Sequence, residues 1–373
     1  MPDGCSPSGR DEDVHAKVRP PPWPEAGLEH LNACPVCSET ARALLFDGLA
    51  DGLFGAPGLW QIWTCHGCRA AYLDPRPTVS TISLAYQAYY THAPLHPKRL
   101  PTARRGFKAL VANGYLNDEF GHDLSYALPK PLAKALCDPG LALKEAYRIR
   151  HLPPPRPGAR LLDLGCGNGN FLSVARDLGY QVTGLEPDPK AVEIGRAAGL
   201  EIFEGDLPSP FLSLASFDQV TASHVIEHLH DPKAALRAIF DLLKPGGRVW
   251  ISQPNLAALG LARFGKFWRG LEPPRHLTLF DRPGLTRLLE AVGFHQVSLL
   301  PADRAAGFYF RQSAALAAGQ DPNGGQNTPS PRVDREARIA DRKAHRAPEL
   351  CESLTLIAFR PLADHSQGSG VQR

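Results

Sequence analysis

Apolar, strand-like runs alternate with helix-like segments along residues 160–254, and no other feature constrains the possible fold as strongly. "RLLDLG" (160–165) and "QVTGLE" (181–186) are two of these runs, and each precedes a segment with apolar residues at helical spacing. The proline-rich stretch "PPPRPG" (153–158) marks where this region begins. Because such alternation is typical of parallel strands with helices on both faces, we predict an α/β domain.

Further apolar runs complete the predicted sheet. "LEIFEGD" (200–206), "FDQVTAS" (217–223) and "RVWISQP" (248–254) are interpreted as three more strands. Nearer the end of the chain, "QVSLLP" (296–301) and "SLTLIAFRP" (353–361) have the composition of strands. We predict that these last two segments close the sheet as an antiparallel pair.

Composition divides the rest of the chain into distinct parts. Both ends are polar and have little to bury, so we expect disordered tails there. A segment with apolar residues at helical spacing precedes the α/β domain and is interpreted as a helical lid or substrate segment. A polar stretch containing proline and glycine is expected to form a mobile insertion. The predicted parts are a tail (1–29), a cysteine-rich module (30–80), the helical segment (81–152), the α/β domain (153–362, with the insertion at 319–349) and a second tail (363–373).

A glycine-rich turn follows the first predicted strand. Gly165, Gly167 and Gly169 lie at alternate positions in "LLDLGCGNG", whereas the dinucleotide fingerprint has the spacing G-x-G-x-x-G. Asp163 lies two residues before the first glycine and places an anion at the end of the strand, where it would repel a pyrophosphate and attract a cation. S-adenosylmethionine carries an ammonium and a sulfonium and no phosphate. The charge pattern therefore favours S-adenosylmethionine over NAD.

The stretch "LLDLGCGNGNFL" (161–172) resembles the first motif of class I S-adenosylmethionine-dependent methyltransferases. Later motifs of that family follow in order over about residues 158–300, which implies a Rossmann-like sheet. The resemblance implies that Glu186 binds both ribose hydroxyls, a role that suits a carboxylate, and that adenine lies near Asp206. The cofactor-site residues predicted in this way are Asp163, Gly165, Cys166, Gly167, Asn168, Gly169, Glu186, Pro187, Asp206, Leu207 and His224.

Two Cys-x-x-Cys pairs lie in the predicted module. "CPVC" contributes Cys34 and Cys37, and "CHGC" contributes Cys65 and Cys68. Two such pairs are typical of a tetrahedral four-thiolate zinc site. Zinc would stabilise a region that is too small to hold a core alone. We predict structural Zn²⁺ at these four residues, with four reduced cysteines as the alternative.

In this chain a cysteine-rich module precedes the α/β domain, an arrangement that resembles that of a particular group of methyltransferases. In that group the module ends in an aromatic-rich segment similar to "YLDPRPTVSTISLAYQAYY" (72–90). Many members act on small molecules. The resemblance implies a small-molecule acceptor with an oxygen, nitrogen or carbon nucleophile, such as a sugar or a secondary metabolite.

Three residues are candidates for a catalytic role at the acceptor. Glu227 and His228 follow the fourth predicted strand, and the carboxyl ends of parallel strands border the ligand crevice in such sheets. In related enzymes this Glu–His pair borders the methyl group. His276 lies in "WRGLEPPRHLTLF" (268–280), which resembles a segment that covers the acceptor pocket. An imidazole suits the role of base because its ordinary pKa lies near neutrality, although packing and loop-pinning roles stay open for both histidines.

Charge and hydropathy exclude some partners. The net charge of +3 lacks the strong basic character of a nucleic-acid-binding domain. No apolar run reaches the length of a membrane span, and the first residues lack the apolar core of a signal peptide. We therefore expect a cytoplasmic protein without a membrane partner. Two alternatives stay open, namely an RNA methyltransferase that reads RNA through the cysteine module and a non-catalytic, cofactor-binding interaction protein.

Overall fold

The computed structural model describes residues 20–87, 106–301, 304–324 and 330–362. Several of the predicted parts extend beyond these ranges. The tail at 363–373, residues 1–19 of the first tail, residues 88–105 of the helical segment and residues 325–329 of the insertion lie outside the described residues.

The N-terminal region is a small β-structure. Its strands are β1 (Leu28–Glu29), β2 (Arg42–Leu49), β3 (Trp60–Cys65), β4 (Ala71–Leu73) and β5 (Arg76–Pro77). Strand β1 pairs with β5, while β2, β3 and β4 form an antiparallel sheet. Buried Trp23 packs edge-to-face against Trp60 with 5.3 Å between ring centroids. The expected tail at 1–29 therefore extends too far, because Trp23 supplies apolar surface that orders residues 20–29.

Helices follow in the described part of the predicted helical segment. They are α1 (Phe107–Glu119), α2 (Lys130–Leu136) and α3 (Pro139–Arg148). Asp138 caps α3 by accepting hydrogen bonds from the backbone N–H groups of Gly140 and Leu141. Leu116 on α1 belongs to a buried core that continues into the α/β domain. The helical character of the segment agrees with its sequence pattern, and its role as a lid stays a prediction.

A larger sheet lies at the centre of the molecule. Its strands in the described residues are β6 (Arg160–Leu164), β7 (Gln181–Glu186), β8 (Ile202–Glu204), β9 (Phe217–Ser223), β10 (Leu243–Pro254), β12 (His295–Leu299) and β13 (Ser353–Phe359), while β11 (Thr278–Leu279) joins the N-terminal sheet. The order is β12-β13-β10-β9-β6-β7-β8. Strands β6 to β10 run parallel, and β13 is antiparallel to both its neighbours. The predicted parallel sheet and its antiparallel closing pair are confirmed.

Aspartate caps define where several connecting helices begin. The helices are α4 (Asn170–Asp177), α5 (Pro189–Ala197), α6 (Pro232–Leu242), α7 (Leu259–Phe264) and α8 (Arg282–Val292). Each of three helices is capped by an aspartate that accepts a hydrogen bond from a backbone N–H in the first helical turn, namely Asp188 for α5, Asp231 for α6 and Asp281 for α8. Each of these first turns also contains a proline, whose fixed φ angle suits a helix. In the described ranges, no helix has both the length and the apolar character required to cross a lipid bilayer.

The chain changes direction across the sheet at β6. Strands β7 and β8 lie on one side of β6, and β9 and β10 lie on the other. Crossover connections leave opposite faces of the sheet at such a point, which opens a crevice at the carboxyl ends of the strands. The β6–α4 loop and the turn after β9 meet there, because a Cβ added at Gly165 would lie 2.7 Å from Cγ2 of Val225.

One helix precedes the segment predicted as a mobile insertion, and a second lies within it. They are α9 (Ala306–Ala317) and α10 (Pro331–Arg346). Ala337 and Ala340 of α10 pack with Ala306 and Phe310 of α9 in a small buried cluster. The expectation of a mobile insertion at 319–349 is therefore wrong for residues 331–346. A narrow alanine stripe on a highly charged helix buries enough to order it, although the composition of the segment is polar.

The N-terminal sheet and the α/β domain share strands and core. Strand β11 pairs antiparallel with β4, so that Thr278 is opposite Tyr72 and Leu279 is opposite Ala71. Buried Cys34 belongs to the same apolar cluster as residues of the large sheet. The cysteine-rich module at 30–80 is therefore packed into the α/β domain rather than attached to it by a linker.

Candidate functional site

The glycine loop between β6 and α4 crosses the carboxyl end of the sheet. Gly165, Gly167 and Gly169 have φ angles of +59°, +54° and +85°, in the left-handed region that favours glycine. A Cβ at Gly169 would lie 2.2 Å from Cδ1 of Leu200, so this glycine also permits close packing. A Cβ at Gly167 would meet no described atom within 4 Å. The loop thus presents an open backbone face at Gly167.

Glu186 closes the adjacent side of this loop. Its Oε2 accepts a hydrogen bond of 2.8 Å from the Gly167 N–H, and its Oε1 accepts one of 3.1 Å from the Asp188 N–H. Burial raises the pKa of Glu186, while these hydrogen bonds oppose the change. Each carboxylate oxygen retains capacity for another hydrogen bond, as the predicted ribose contact requires.

Asp163 lies beneath the loop at the end of β6. It is fully buried, and its Oδ1 accepts hydrogen bonds from Arg150 and, at 2.8 Å, from the Thr221 hydroxyl. Burial raises its pKa, and the pairing with Arg150 opposes that change. The anion that the sequence places at this strand end thus has its charge balanced by Arg150. Asp163 stays a predicted cofactor residue.

Sequence reasoning missed Arg150, which follows α3 and reaches over the loop. Its guanidinium carbon lies 3.6 Å from the centroid of the Phe171 ring. No local motif distinguishes this arginine from its neighbours in "YRIRH". Its pairing with Asp163 becomes visible only in the structure, which places the residues that precede position 153 beside β6.

The other predicted cofactor residues differ in their surroundings. Cys166 is buried, and its Sγ would lie 2.5 Å from a Cβ added at Gly184 of β7, so the thiol packs against the sheet. Asn168 is half-buried and accepts a hydrogen bond of 2.9 Å from the Asn170 amide. Pro187 is exposed on the loop after β7.

The remaining predicted cofactor residues follow β8 and β9. Asp206 is exposed, and Leu207 is half-buried against the sheet core. His224 has a φ of +55°, and its backbone N–H donates to the Ser252 carbonyl at 2.7 Å. These positions border the same crevice as the glycine loop, and their contacts with a cofactor stay a prediction.

The turn after β9 carries Glu227 and His228. The Glu227 side chain is fully buried, and its Oε1 accepts a hydrogen bond of 3.1 Å from His224 Nδ1. Its Oε2 has no hydrogen-bond partner among the described residues. His228 Nδ1 lies 3.1 Å from the Arg275 carbonyl oxygen and 3.0 Å from the Tyr86 hydroxyl. A carbonyl oxygen can only accept, so we assign the proton of His228 to Nδ1 and the lone pair to Nε2.

His276 faces His228 from the segment before β11. The two ring centroids lie 4.8 Å apart at an interplanar angle of 74°. His276 Nδ1 donates to the Gly270 carbonyl at 2.8 Å. One ligand atom from each of Glu227, His228 and His276 lies within 4.8 Å of the others, so the three functional groups face one small space. The structure thus brings the three predicted catalytic residues together.

Burial controls the ionisation of this cluster. It lowers the pKa of His228 and lowers the pKa of His276 to about 4. Burial acts in the opposite direction on Glu227, but the hydrogen bond from His224 helps to lower the pKa of that carboxyl below its ordinary value. Two neutral imidazoles therefore lie beside one carboxylate near pH 7.

The four cysteines of the two Cys-x-x-Cys pairs converge. The Sγ atoms of Cys34 and Cys68 lie 3.6 Å apart, and those of Cys37 and Cys65 lie 3.5 Å apart. All four sulfurs lie within 4.8 Å of one another. Tetrahedral zinc with bonds of about 2.3 Å requires sulfurs about 3.8 Å apart, so the donor set fits the metal.

The central region of the chain is similar to known proteins. The family described as "Methyltransferase domain" matches residues 139–299, which include the glycine loop, Glu186 and all three residues of the Glu227–His228–His276 cluster. Two curated relatives are named "Ubiquinone biosynthesis O-methyltransferase". One, from Xanthomonas oryzae pv. oryzae, is 40% identical over 119 residues. The other, from Xanthomonas campestris pv. campestris, is 39% identical over 120 residues.

These similarities cover part of each protein. Each curated match covers 29% of this chain and 49% of the relative, so the chain spans about half the length of the curated relatives it matches. A solved SAM-dependent methyltransferase from Archaeoglobus fulgidus is 20% identical, with a TM-score of 0.40, and the match covers 59% of this chain and 93% of that one. Residues 139–299 of this chain are therefore similar to a methyltransferase domain.

Proposed function

We propose that this protein transfers a methyl group from S-adenosylmethionine to a small-molecule acceptor. The curated relatives are named as O-methyltransferases, which favours an oxygen nucleophile on the acceptor. The acceptor class stays broad and includes hydroxylated rings, sugars and secondary metabolites.

One observation carries the proposal. The open backbone face at Gly167, with the Glu186 carboxylate against it, lies at the same end of the sheet as the Glu227–His228–His276 cluster. Gly165 of the glycine loop packs against Val225 of the turn that carries Glu227 and His228, so the two parts of the site adjoin. A nucleoside held at the loop would then present its other end toward the histidines. A methyl donor beside neutral imidazoles supports methyl transfer to an acidic hydroxyl.

The chemistry divides between cofactor and protein. S-adenosylmethionine supplies a methyl group activated by its sulfonium. His228 Nε2 takes the hydroxyl proton as the acceptor oxygen attacks, and the Arg275 carbonyl holds the proton already on Nδ1. Glu227 carries a negative charge beside the imidazolium that forms. His276 limits the space next to His228 and orients the acceptor.

A transfer assay with isotopically labelled S-adenosylmethionine tests the function. A panel of phenols, catechols, sugars and RNA fragments separates the acceptor classes. We expect label in at least one small hydroxylated compound and none in RNA. Labelled RNA with steep salt dependence would instead support the RNA alternative. Binding of NAD without binding of S-adenosylmethionine would contradict the proposal as a whole.

We also propose that Cys34, Cys37, Cys65 and Cys68 hold one structural zinc. The sulfur spacings support a closed four-thiolate site, which has no free position for catalysis. Cys34 and Cys65 are buried in the apolar cluster that includes residues of the large sheet. Zinc bound here would stabilise the whole folded unit rather than the module alone.

Elemental analysis tests this assignment. Reduced, freshly purified protein is expected to contain one zinc per chain. Cys34→Ser should lower the zinc content and also the melting temperature of the entire chain, since the cores are shared. Cys137→Ser removes a thiol outside the cluster and should leave the zinc content unchanged. Wild-type protein with far less than one zinc per chain would refute the site.

A further inference from the structure

Arg275 connects distant parts of the chain next to His228. The arginine is fully buried, and its backbone carbonyl accepts the hydrogen bond from His228 Nδ1 at 3.1 Å. Two residues further on, the Leu277 N–H donates to the Glu227 carbonyl at 2.7 Å. The segment 275–277 is thus clamped to the turn of Glu227 and His228 by two hydrogen bonds.

The guanidinium of Arg275 is held by the N-terminal region. Nη1 and Nη2 donate to the two carboxylate oxygens of Asp51 at 2.8 and 2.7 Å, and Nη1 also donates to the Ala85 carbonyl at 2.9 Å. Nε donates to Glu272 at 2.9 Å. Asp51 is buried as well, so the pair is bidentate and shielded from water. Such a forked contact fixes the orientation of both groups.

Asp51 is itself anchored in its own loop. Its Oδ1 accepts the Leu53 N–H at 3.0 Å, and its Oδ2 accepts the Ala56 N–H at 2.9 Å. The Tyr86 hydroxyl, next to Ala85 in sequence, reaches the same His228 Nδ1 at 3.0 Å. The surroundings of Nδ1 therefore depend on the N-terminal region, directly through Tyr86 and indirectly through the contact of Asp51 with Arg275.

We propose that Arg275 is a positioning residue, anchored by Asp51, that holds His228 in the tautomer with the proton on Nδ1. This inference rests on the proposed function for its catalytic consequence, because Nε2 accepts a proton from the acceptor only in that tautomer. The loop 50–59 and the short turn Ile82–Tyr86 thereby become part of the catalytic apparatus. Loss of the Asp51 anchor frees Arg275 to move, and its carbonyl then leaves Nδ1.

Two conservative variants test the anchor. Asp51→Asn keeps the volume but loses the charge and one acceptor oxygen, and Arg275→Lys keeps the charge but loses the fork. We expect each to lower kcat roughly ten-fold with little change in cofactor Kd, and to move the acidic limb of the kcat–pH profile. Asp74→Asn is the matched control, because Asp74 is a buried partner of Arg42 in the same region and does not contact His228.

Nitrogen-15 NMR of the histidine rings tests the tautomer without any turnover. The His228 signals are assigned by their loss in His228→Ala. Wild-type protein should show a protonated Nδ1, and Asp51→Asn or Arg275→Lys should show a mixture of tautomers, unlike Asp74→Asn. A wild-type His228 with the proton on Nε2 would refute the proposal even if neither variant folds.

The two proposals fail in distinguishable ways. If wild-type protein transfers no methyl group and binds no S-adenosylmethionine, the proposed function is wrong. The NMR signals of His228 test the tautomer assignment independently of that result. If methyl transfer occurs and both Asp51→Asn and Arg275→Lys retain the wild-type pH profile and tautomer, the positioning role of Arg275 is wrong and the function stands.

Discussion

Substituting His228 with alanine is expected to lower kcat at least about a hundred-fold while leaving the cofactor Kd nearly unchanged. The size is typical for the loss of a general base. His228 lies beyond β9, and its protonated Nδ1 is directed to the Arg275 carbonyl, so that Nε2 is the atom with a free lone pair. Steady-state kinetics at saturating cofactor, together with calorimetric titration of the cofactor, measure the two quantities separately.

Companion variants determine what the imidazole does. His228→Gln should restore little activity, since an amide forms hydrogen bonds but takes no proton. His230→Ala removes an imidazole from the same stretch, one that binds the Pro77 carbonyl, and should retain wild-type turnover. Loss of cofactor affinity with normal turnover would place His228 in the cofactor pocket. Loss of wild-type turnover on chelation and its return with a divalent cation would replace the base role with metal binding.

The pH dependence follows from the buried state of His228. Its active form is neutral, and burial lowers its pKa below the ordinary value of 6.5. Turnover should therefore persist as the pH falls through 6.5 and decline only at a lower pH. A decline centred above 6.5 would contradict the burial of a neutral base.

Replacing Glu186 with alanine should weaken cofactor binding by about 2 kcal/mol, which is roughly thirty-fold in Kd. The reason is twofold. The ribose hydroxyls would lose their hydrogen-bond acceptor. The Gly167 N–H would also lose its 2.8 Å hydrogen bond to Glu186, which helps to fix the conformation of the glycine loop. Isothermal titration with S-adenosylmethionine and S-adenosylhomocysteine measures the change.

Two further variants keep this result interpretable. Glu186→Gln retains one acceptor oxygen and should lose less affinity than the alanine variant. Glu193→Ala removes a carboxylate from the exposed side of α5 and should bind like the wild type. An unchanged Kd in Glu186→Ala would exclude Glu186 from the cofactor site.

Much of the fold was predictable because its signals are short in range. The parallel strands follow from apolar runs such as "RLLDLG", and the starts of α5 and α6 follow from Asp188 and Asp231 directly before prolines. The alternate glycines indicated a turn after the first strand, and in the structure all three have positive φ angles. Within the site, the Glu227–His228 turn was predictable because it directly follows a strand end.

Helix α10 and the N-terminal tryptophan show where composition misleads. Residues 331–346 are polar on average, and three buried alanines on one face decide that they form an ordered helix. Trp23 lies in a proline-rich stretch, yet its indole ring packs against the ring of Trp60. In both cases the stabilising contact comes from a distant partner, which a local average does not include.

The sequence by itself determined the order of strands and helices, the glycine turn, the helix caps and the spacing of the cysteine pairs. Each of these depends on neighbours within a few residues, since periodicity and capping act over one or two turns. Only the tertiary structure decided that Arg150 neutralises Asp163, that β11 pairs with β4, and that Asp51 binds Arg275 across 224 positions. Buried charges require a partner, but sequence does not show which of many arginines comes within hydrogen-bonding distance. That choice depends on how the elements pack, and it determines the surroundings of His228.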